Sequence, residues 1–206
     1  MWGCSGIEIF GKKIRTLVFT TDISIICNVN ADAVLAVYAF TPQPKIASAI
    51  LSAADKPVFC GVGGGTTRGK RVVNIACNAE MIGALGVVVN APTDNEVIEE
   101  MSRRIDIPII ATVVSESEDI DARVKAGVDI FNVSAAAKTA EVVRKIRASY
   151  PDFPIIATGG PTEETIKEVI EAGANAVTWT PPTTGELMHE LMVKYRAERG
   201  NDSDKK

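Results

Sequence analysis

Five glycines and three cations crowd one short stretch, Gly61-Val62-Gly63-Gly64-Gly65-Thr66-Thr67-Arg68-Gly69-Lys70-Arg71. Glycine takes positive φ freely and lets backbone N–H groups approach a ligand closely. Arg68, Lys70 and Arg71 place positive charge beside those bare amides, a pairing that suits a phosphate or a carboxylate. The string Gly64-x-x-x-x-Gly69-Lys70 also fits the start of a nucleotide-binding loop. The next residue is Arg71, where the Mg²⁺-binding Ser or Thr of such a loop would stand. Gly63, Gly64, Gly65, Arg68 and Lys70 are therefore read as an anion-binding loop that closes over its ligand, and nucleotide hydrolysis is set aside.

Acid–base chemistry has few candidates. Asp22 ends the run Phe19-Thr20-Thr21-Asp22 and is placed to move a proton, although Asp is also a routine helix cap. Glu116 follows Thr112-Val113-Val114-Ser115 and is a second carboxylate that can turn inward. Asn132 and Ser134 alternate on one face of an apolar run and suit a substrate hydroxyl or carbonyl. These readings make Asp22, Asn132 and Glu116 the catalytic candidates. Ser134, Gly159, Gly160 and Thr183 join the glycine-rich loop as ligand-binding candidates. Cys60 lies within an apolar run and reads as core, and His189 and Lys138 read as helix-surface residues. The four cysteines contain no Cys-x-x-Cys and His189 is the only histidine, so neither a metal nor an organic cofactor is expected.

These candidates sit at regular intervals because the chain repeats. Ile107-Pro108-Ile109-Ile110-Ala111-Thr112 returns as Phe153-Pro154-Ile155-Ile156-Ala157-Thr158. Ala126-Gly127-Val128-Asp129 returns, by the same shift, as Ala172-Gly173-Ala174-Asn175. Each unit reads as strand, helix, glycine cap, strand, helix. Pro57 precedes an earlier strand as Pro108 and Pro154 precede theirs. Gly86, Gly127 and Gly173 are expected to close helices in the left-handed conformation, with Asn30 in that role before the second strand. Thr93 with Glu96 reads as a capping box, and Thr162 as a further cap. The count reaches eight strand–helix units, which right-handed crossovers close into a single α/β (β/α)₈ TIM barrel. The barrel is expected over residues 1–200, with 201–206 a disordered polar tail. Residues 1–13, with Trp2, Ile7, Ile9 and Phe10, are expected to cover the barrel bottom or a partner. The active face of such a barrel lies at the C-terminal ends of its strands, where the candidates above fall.

The closing half, Pro154-Ile155-Ile156-Ala157-Thr158-Gly159-Gly160 with Glu171-Ala172-Gly173-Ala174-Asn175-Ala176-Val177, resembles the phosphate-binding aldolase-type barrels. Within that ribulose-phosphate-binding superfamily it is most similar to the 2-keto-3-deoxy-6-phosphogluconate aldolase group, over roughly residues 105 to 190. The resemblance implies a phosphate site after the seventh and eighth strands, and lyase or isomerase activity. Two departures bear on it. Asn132 stands where that group carries its Schiff-base lysine, so class I aldol chemistry by that route is absent. Trp179-Thr180-Pro181-Pro182-Thr183-Thr184-Gly185 replaces the superfamily's Gly-Ser turn, and the two prolines donate no N–H. Thr21-Asp22-Ile23 also resembles the first loop of antiterminator-like regulatory barrels, which implies a metabolite sensor.

Composition narrows the partners. In 206 residues, 46% are apolar and only 5% aromatic, the make-up of a Val/Ile/Ala core of buried parallel strands. The net charge of −4 exerts no general pull on nucleic acid or anionic membrane. Absence of a signal-like leader and of long apolar runs points to a cytoplasmic protein. A homo-oligomer, paired through helices or the apolar N-terminal segment, is open to such a barrel. The expected function is that of a lyase or isomerase acting on a small phosphorylated or carboxylated metabolite. The alternatives are a non-enzymatic phosphometabolite sensor and a hydrolase with a recruited metal.

Overall fold

In the computed structural model, which describes residues 3–160 and 162–203, eight parallel strands close into a barrel. A hairpin precedes them, β1 (Ile7–Ile9) and β2 (Lys12–Ile14). The barrel strands are β3 (Thr16–Phe19), β4 (Ala33–Ala36), β5 (Val58–Gly63), β6 (Gly86–Val89), β7 (Ile109–Val113), β8 (Ile130–Val133), β9 (Ile155–Thr158) and β10 (Ala176–Trp179). The helices are α1 (Ile23–Asn28), α2 (Pro44–Ala53), α3 (Lys70–Met81), α4 (Asn95–Ser102), α5 (Ile120–Lys125), α6 (Thr139–Ser149), α7 (Glu163–Glu171) and α8 (Thr184–Ser203). The single TIM barrel expected from the repeat is the observed fold. Trp2 and residues 204–206 lie outside the described residues.

Side-chain alternation sorts the core into two layers, since neighbours along a strand point to opposite faces. Val18, Val34, Val58, Val87, Ile109, Phe131, Ile155 and Val177 face outward and pack under the helices. Leu17, Leu35, Phe59, Val88, Ile110, Ile130, Ile156 and Ala176 face inward and fill the barrel. The hairpin completes the inner layer. Phe10 and Gly11, both with positive φ, turn the chain (φ 47° and 75°), and the turn pairs Ile7 with Ile14. Ile7, Ile9 and Ile14 then pack against the inner cluster and seal the bottom of the barrel. Ile7, Ile9 and Ile14 are thus used internally, while Phe10 is exposed.

The repeat is visible as a recurring set of hydrogen bonds. Gly83, Gly127 and Gly173 adopt positive φ after α3, α5 and α7. Each is followed by the same closing bond: Ala84 N–H to Ala79 O, Val128 N–H to Arg123 O, Ala174 N–H to Val169 O. The glycine expected at 86 is therefore three residues early, at 83, and Gly86 itself lies in β6. Asn30 is not left-handed, because α1 ends at Val29 in extended conformation. Ahead of β8 and β10, Asp129 and Asn175 do the same work at the shifted position. Asp129 Oδ2 accepts from Ile109 N–H at 2.8 Å, and Asn175 Oδ1 accepts from Ile155 N–H at 2.9 Å. Asp32, ahead of β4, accepts from Arg15 and Thr16 N–H in the same way. Arg147 binds Gly173 O, Asn175 Oδ1 and three carbonyls after α6, which fixes the last quarter.

The last helix differs from the other seven. Every side chain of α8 described, from Thr184 to Arg199, is exposed. Leu187, Met188, Leu191, Met192 and Tyr195 recur along one side of it and remain 38–55% exposed. No helix among the described residues is long and apolar enough to cross a membrane.

If the hairpin seals the inner core, Ile14→Ala, at a residue 2% exposed, lowers unfolding free energy by about 2–5 kcal/mol in urea denaturation.

Candidate functional site

The inward positions change character near the C-terminal ends of the strands. Phe59, Val88, Ile110, Ile130, Ile156 and Ala176 are apolar; one step further up the same face come Asn90, Thr112, Asn132, Thr158 and Thr178. A second step adds Ser134 and Thr180. Together with Phe19, Leu35 and Val37 these residues line an open cavity of about 210 Å³ at the mouth of the barrel. Its polar lining is neutral throughout, made of amides and hydroxyls.

Asn132 and Thr178 are the two buried members of that ring. Asn132 is 6% exposed, and its Nδ2 donates to Thr112 Oγ1 at 3.4 Å. Its Oδ1 has no partner among the described residues. Thr178 Oγ1 donates across the closing seam to Leu17 O at 3.3 Å. Ser134 is set by its own N–H, which donates to Val113 O at 2.8 Å.

A side cavity of about 170 Å³ joins the mouth, with Val37 and Asn90 lining both. Its walls come from Tyr38, Phe40 and Pro42 after β4, and from Gly61, Gly63, Gly65, Thr66 and Thr67 around the end of β5. The first half of the glycine loop is pinned. Gly64 N–H donates to Thr67 O, Asn90 N–H donates to Gly63 O, and Thr93 N–H donates to Asn90 O. Gly64 has φ 100°, and a Cβ there would fall on Thr93 Oγ1 and come within 2.9 Å of the Asn90 backbone. This explains why Thr93 is not the helix cap expected: its hydroxyl is buried against the loop without a partner among the described residues, and Asp94 occupies the cap position of α4. Arg68, Lys70 and Arg71 are exposed, make no ion pair among the described residues, and line neither cavity.

The remaining candidates hold structure together. Asp22 caps α1 through Ser24 and Ile25 N–H, and accepts from Thr184 N–H and Oγ1 at the start of α8. The Thr184 hydroxyl first, then Ser24, pull its pKa down to about 2. A carboxylate that acidic is a poor base near neutrality, and Asp22 does not line the mouth. Glu116 pairs with Lys138 at 3.0 Å on the surface, and that bond lowers its pKa. Thr183 gives its N–H and its hydroxyl to Glu186 Oε2 at 2.7 and 2.8 Å, so a carboxylate of the chain already sits where an outside anion would. Gly159 donates its N–H to Thr178 O, and a Cβ there would meet Val177 and Ile166, so this glycine lets α7 pack closely. Gly160 has φ 70° beside Thr165, in the turn before the Thr162–Thr165 capping box. Cys60 is 3% exposed, and burial pushes its thiol up to about 11. Among the described residues no three His, Cys, Asp or Glu gather in one place.

Of the candidates, then, the fold brings Asn132 and Ser134 together in the mouth, with Gly63 and Gly65 on the adjoining side cavity. It keeps Asp22, Glu116, Arg68, Lys70 and Thr183 off both linings. The lining residues that the sequence reading did not single out include Asn90, Thr112, Thr158, Thr178, Thr180, Tyr38 and Phe40. All but Tyr38 and Phe40 were within reach of a simple rule: each lies two or four residues beyond an inward apolar residue on its strand.

No protein-family profile matches the chain. A stretch of 77 residues is 40% identical to inosine-5'-monophosphate dehydrogenase of Halalkalibacterium halodurans, covering 34% of this chain and 16% of that enzyme. The chain thus matches only a small part of that curated relative. Among solved structures, 2,3-dimethylmalate lyase, described as a member of the PEP mutase/isocitrate lyase superfamily, superposes with a TM-score of 0.67. It is 14% identical, over 93% of this chain and 84% of that one. Phosphonopyruvate hydrolase in complex with oxalate and Mg²⁺ gives a TM-score of 0.67 at 13% identity, over 95% of this chain and 85% of that one. At these identities the likeness shows the barrel fold, within which neighbours carry lyase and related chemistry.

The Asp22 clasp has a pH signature. Its folded pKa, about 2, lies below the roughly 3.9 of an unfolded Asp. The stability it contributes is present above about pH 4 and is lost as pH falls toward 2. Melting temperatures measured from pH 6 down to pH 2 should fall less steeply for Asp22→Asn than for the wild type.

Proposed function

We propose that the mouth binds a small carboxylated or phosphorylated metabolite and that the barrel acts on it as a lyase or isomerase. The observation that carries this reading is Asn132, a buried amide with one end unpaired, set in an open polar mouth on the face where such barrels do their chemistry. A buried polar atom without a partner is costly, and a ligand that supplies the partner relieves the cost. Asn132 Oδ1 accepts, so it calls for a ligand hydroxyl. The hydroxyls of Thr112, Ser134, Thr158 and Thr180 donate to anionic oxygens, which strengthens those bonds. A hydroxyl near a carboxylate or phosphate describes a hydroxy acid or a sugar phosphate.

Proton movement falls to Tyr38, the only ionisable side chain on either lining. Its oxygen accepts from Gln43 N–H at 2.7 Å, which leaves its own O–H free to donate to the ligand. Arg68 and Lys70, exposed beside the glycine loop, draw the anion in. Among the structural neighbours, 2,3-dimethylmalate lyase supports a lyase reading through its printed activity. A sensing barrel is the second reading, favoured by the absence of any carboxylate, imidazole or amine from the mouth lining.

A panel of hydroxy acids, keto acids and sugar phosphates, screened by thermal shift and followed by proton NMR for turnover, tests both. Asn132→Leu should weaken binding of any hit about tenfold or more, while Tyr38→Phe should lower kcat by about a hundredfold with little change in KM. Binding without turnover selects the sensor. An Asn132→Leu protein that binds every hit normally removes the mouth from the reading. Arg68→Ala should raise KM more at low salt than at high salt, because exposed charges are screened.

A further inference from the structure

The side cavity adjoins the mouth, and of its lining the proposed chemistry uses Tyr38 alone. Glycines make it. Where other strands present side chains, β5 presents Gly61 and Gly63, and the loop beyond presents Gly65. A Cβ at Gly61 would already press on Val37 at 3.1 Å. The opposite wall is aromatic. Phe40 stands 76% exposed at the rim and Tyr38 lies behind it. Scattered exposed apolar residues are ordinary, but here a large ring hangs over a recess.

Polar atoms in the recess are also unmatched. Thr67 is 2% exposed and its Oγ1 has no partner among the described residues. The Asn90 side chain, at the junction of the two cavities, makes no hydrogen bond among the described residues. The rim itself is tied, by Thr41 Oγ1 to Thr66 Oγ1 at 3.2 Å.

We propose that this side cavity holds a flat heteroaromatic ring of the same ligand whose anionic head lies in the mouth. The inference rests on the mouth being the ligand site. A plain alkyl chain would leave Thr67 and Asn90 unpaired, and a second sugar-like group would leave Phe40 bare. A flat ring with polar edges satisfies both, because it stacks on the aromatic wall and meets the hydroxyl and the amide at its edge. Glycine backbone on the other side allows the ring to lie close. The specificity-determining residues are then Phe40, Thr67 and Asn90.

Isothermal calorimetry on two matched pairs tests this: ribose 5-phosphate against adenosine 5'-monophosphate, and pyruvate against imidazolepyruvate. In at least one pair the ring-bearing member should bind about tenfold tighter or better, the usual worth of one stacked ring. Phe40→Ala and Gly65→Val should remove most of that advantage and leave the ringless member unchanged. Both variants should fold, since Phe40 is exposed and a Cβ at Gly65 has no neighbour nearer than 3.9 Å. Equal binding within both pairs overturns the inference, as does silence from all four probes, or an equal effect of the variants on both members of a pair. Loss of ringless binding in Asn132→Leu, with no ring advantage in the wild type, keeps the mouth and discards the side cavity. A ring advantage that survives Asn132→Leu in full keeps the side cavity and discards the mouth.

Discussion

Closure of the ring between β10 and β3 is the constraint on which everything else depends. The other seven seams join units that follow one another along the chain. This one joins the two ends, so nothing local brings it together. It is held by the ladder that pairs Val177 with Thr16 and Trp179 with Val18, and by Thr178 Oγ1 reaching Leu17 O. Above it the Asp22 carboxylate ties the start of α1 to Thr184. Below it Gly6 N–H donates to Asn175 O, and Asn175 Nδ2 donates to Ser5. Once closed, the ring fixes which residue of every strand faces inward, and the polar mouth follows from that register. A slip of one residue would turn Asn132 outward and Phe131 inward.

The fold was legible because it is written in local, repeated terms. Proline before a strand, glycine after a helix and apolar runs between them recur often enough to be counted. Even the small errors are local. Gly83 rather than Gly86 turns the chain, because the helix ends earlier than its apolar pattern suggests. The N-terminal hairpin was harder to see, since its role depends on a cavity that exists only when the barrel is closed.

The site was less legible, for a physical reason. Asn132 and Ser134 could be placed because alternation along one strand is a local property. Asp22 has the residue type and position of an acid–base group, but its hydrogen bonds come from Thr184, at the other end of the chain. Thr183 looked free to bind an anion, yet Glu186 one turn on fills that place. Tyr38 and Phe40 lie past the regular end of β4, where period-two reasoning stops. The charged candidates, which draw the eye in a sequence, ended on the surface; neutral ones line the mouth. That division is what burial energetics favour, since an unpaired charge is far costlier to desolvate than an amide. The shared barrel of the neighbouring structures says little about this choice, because one scaffold hosts many chemistries.

The hairpin plug has a kinetic consequence. With Ile7, Ile9 and Ile14 filling the bottom, the barrel is blind at one end. Whatever enters through the mouth must leave by the same opening. A ligand bound there would be read head first, its deepest group the last to settle on arrival and the last to leave. If a bond is broken inside, the fragment nearer the opening must go before the one beneath it. The order of product release would then be a property of the architecture, set by three isoleucines far from the residues that touch the ligand.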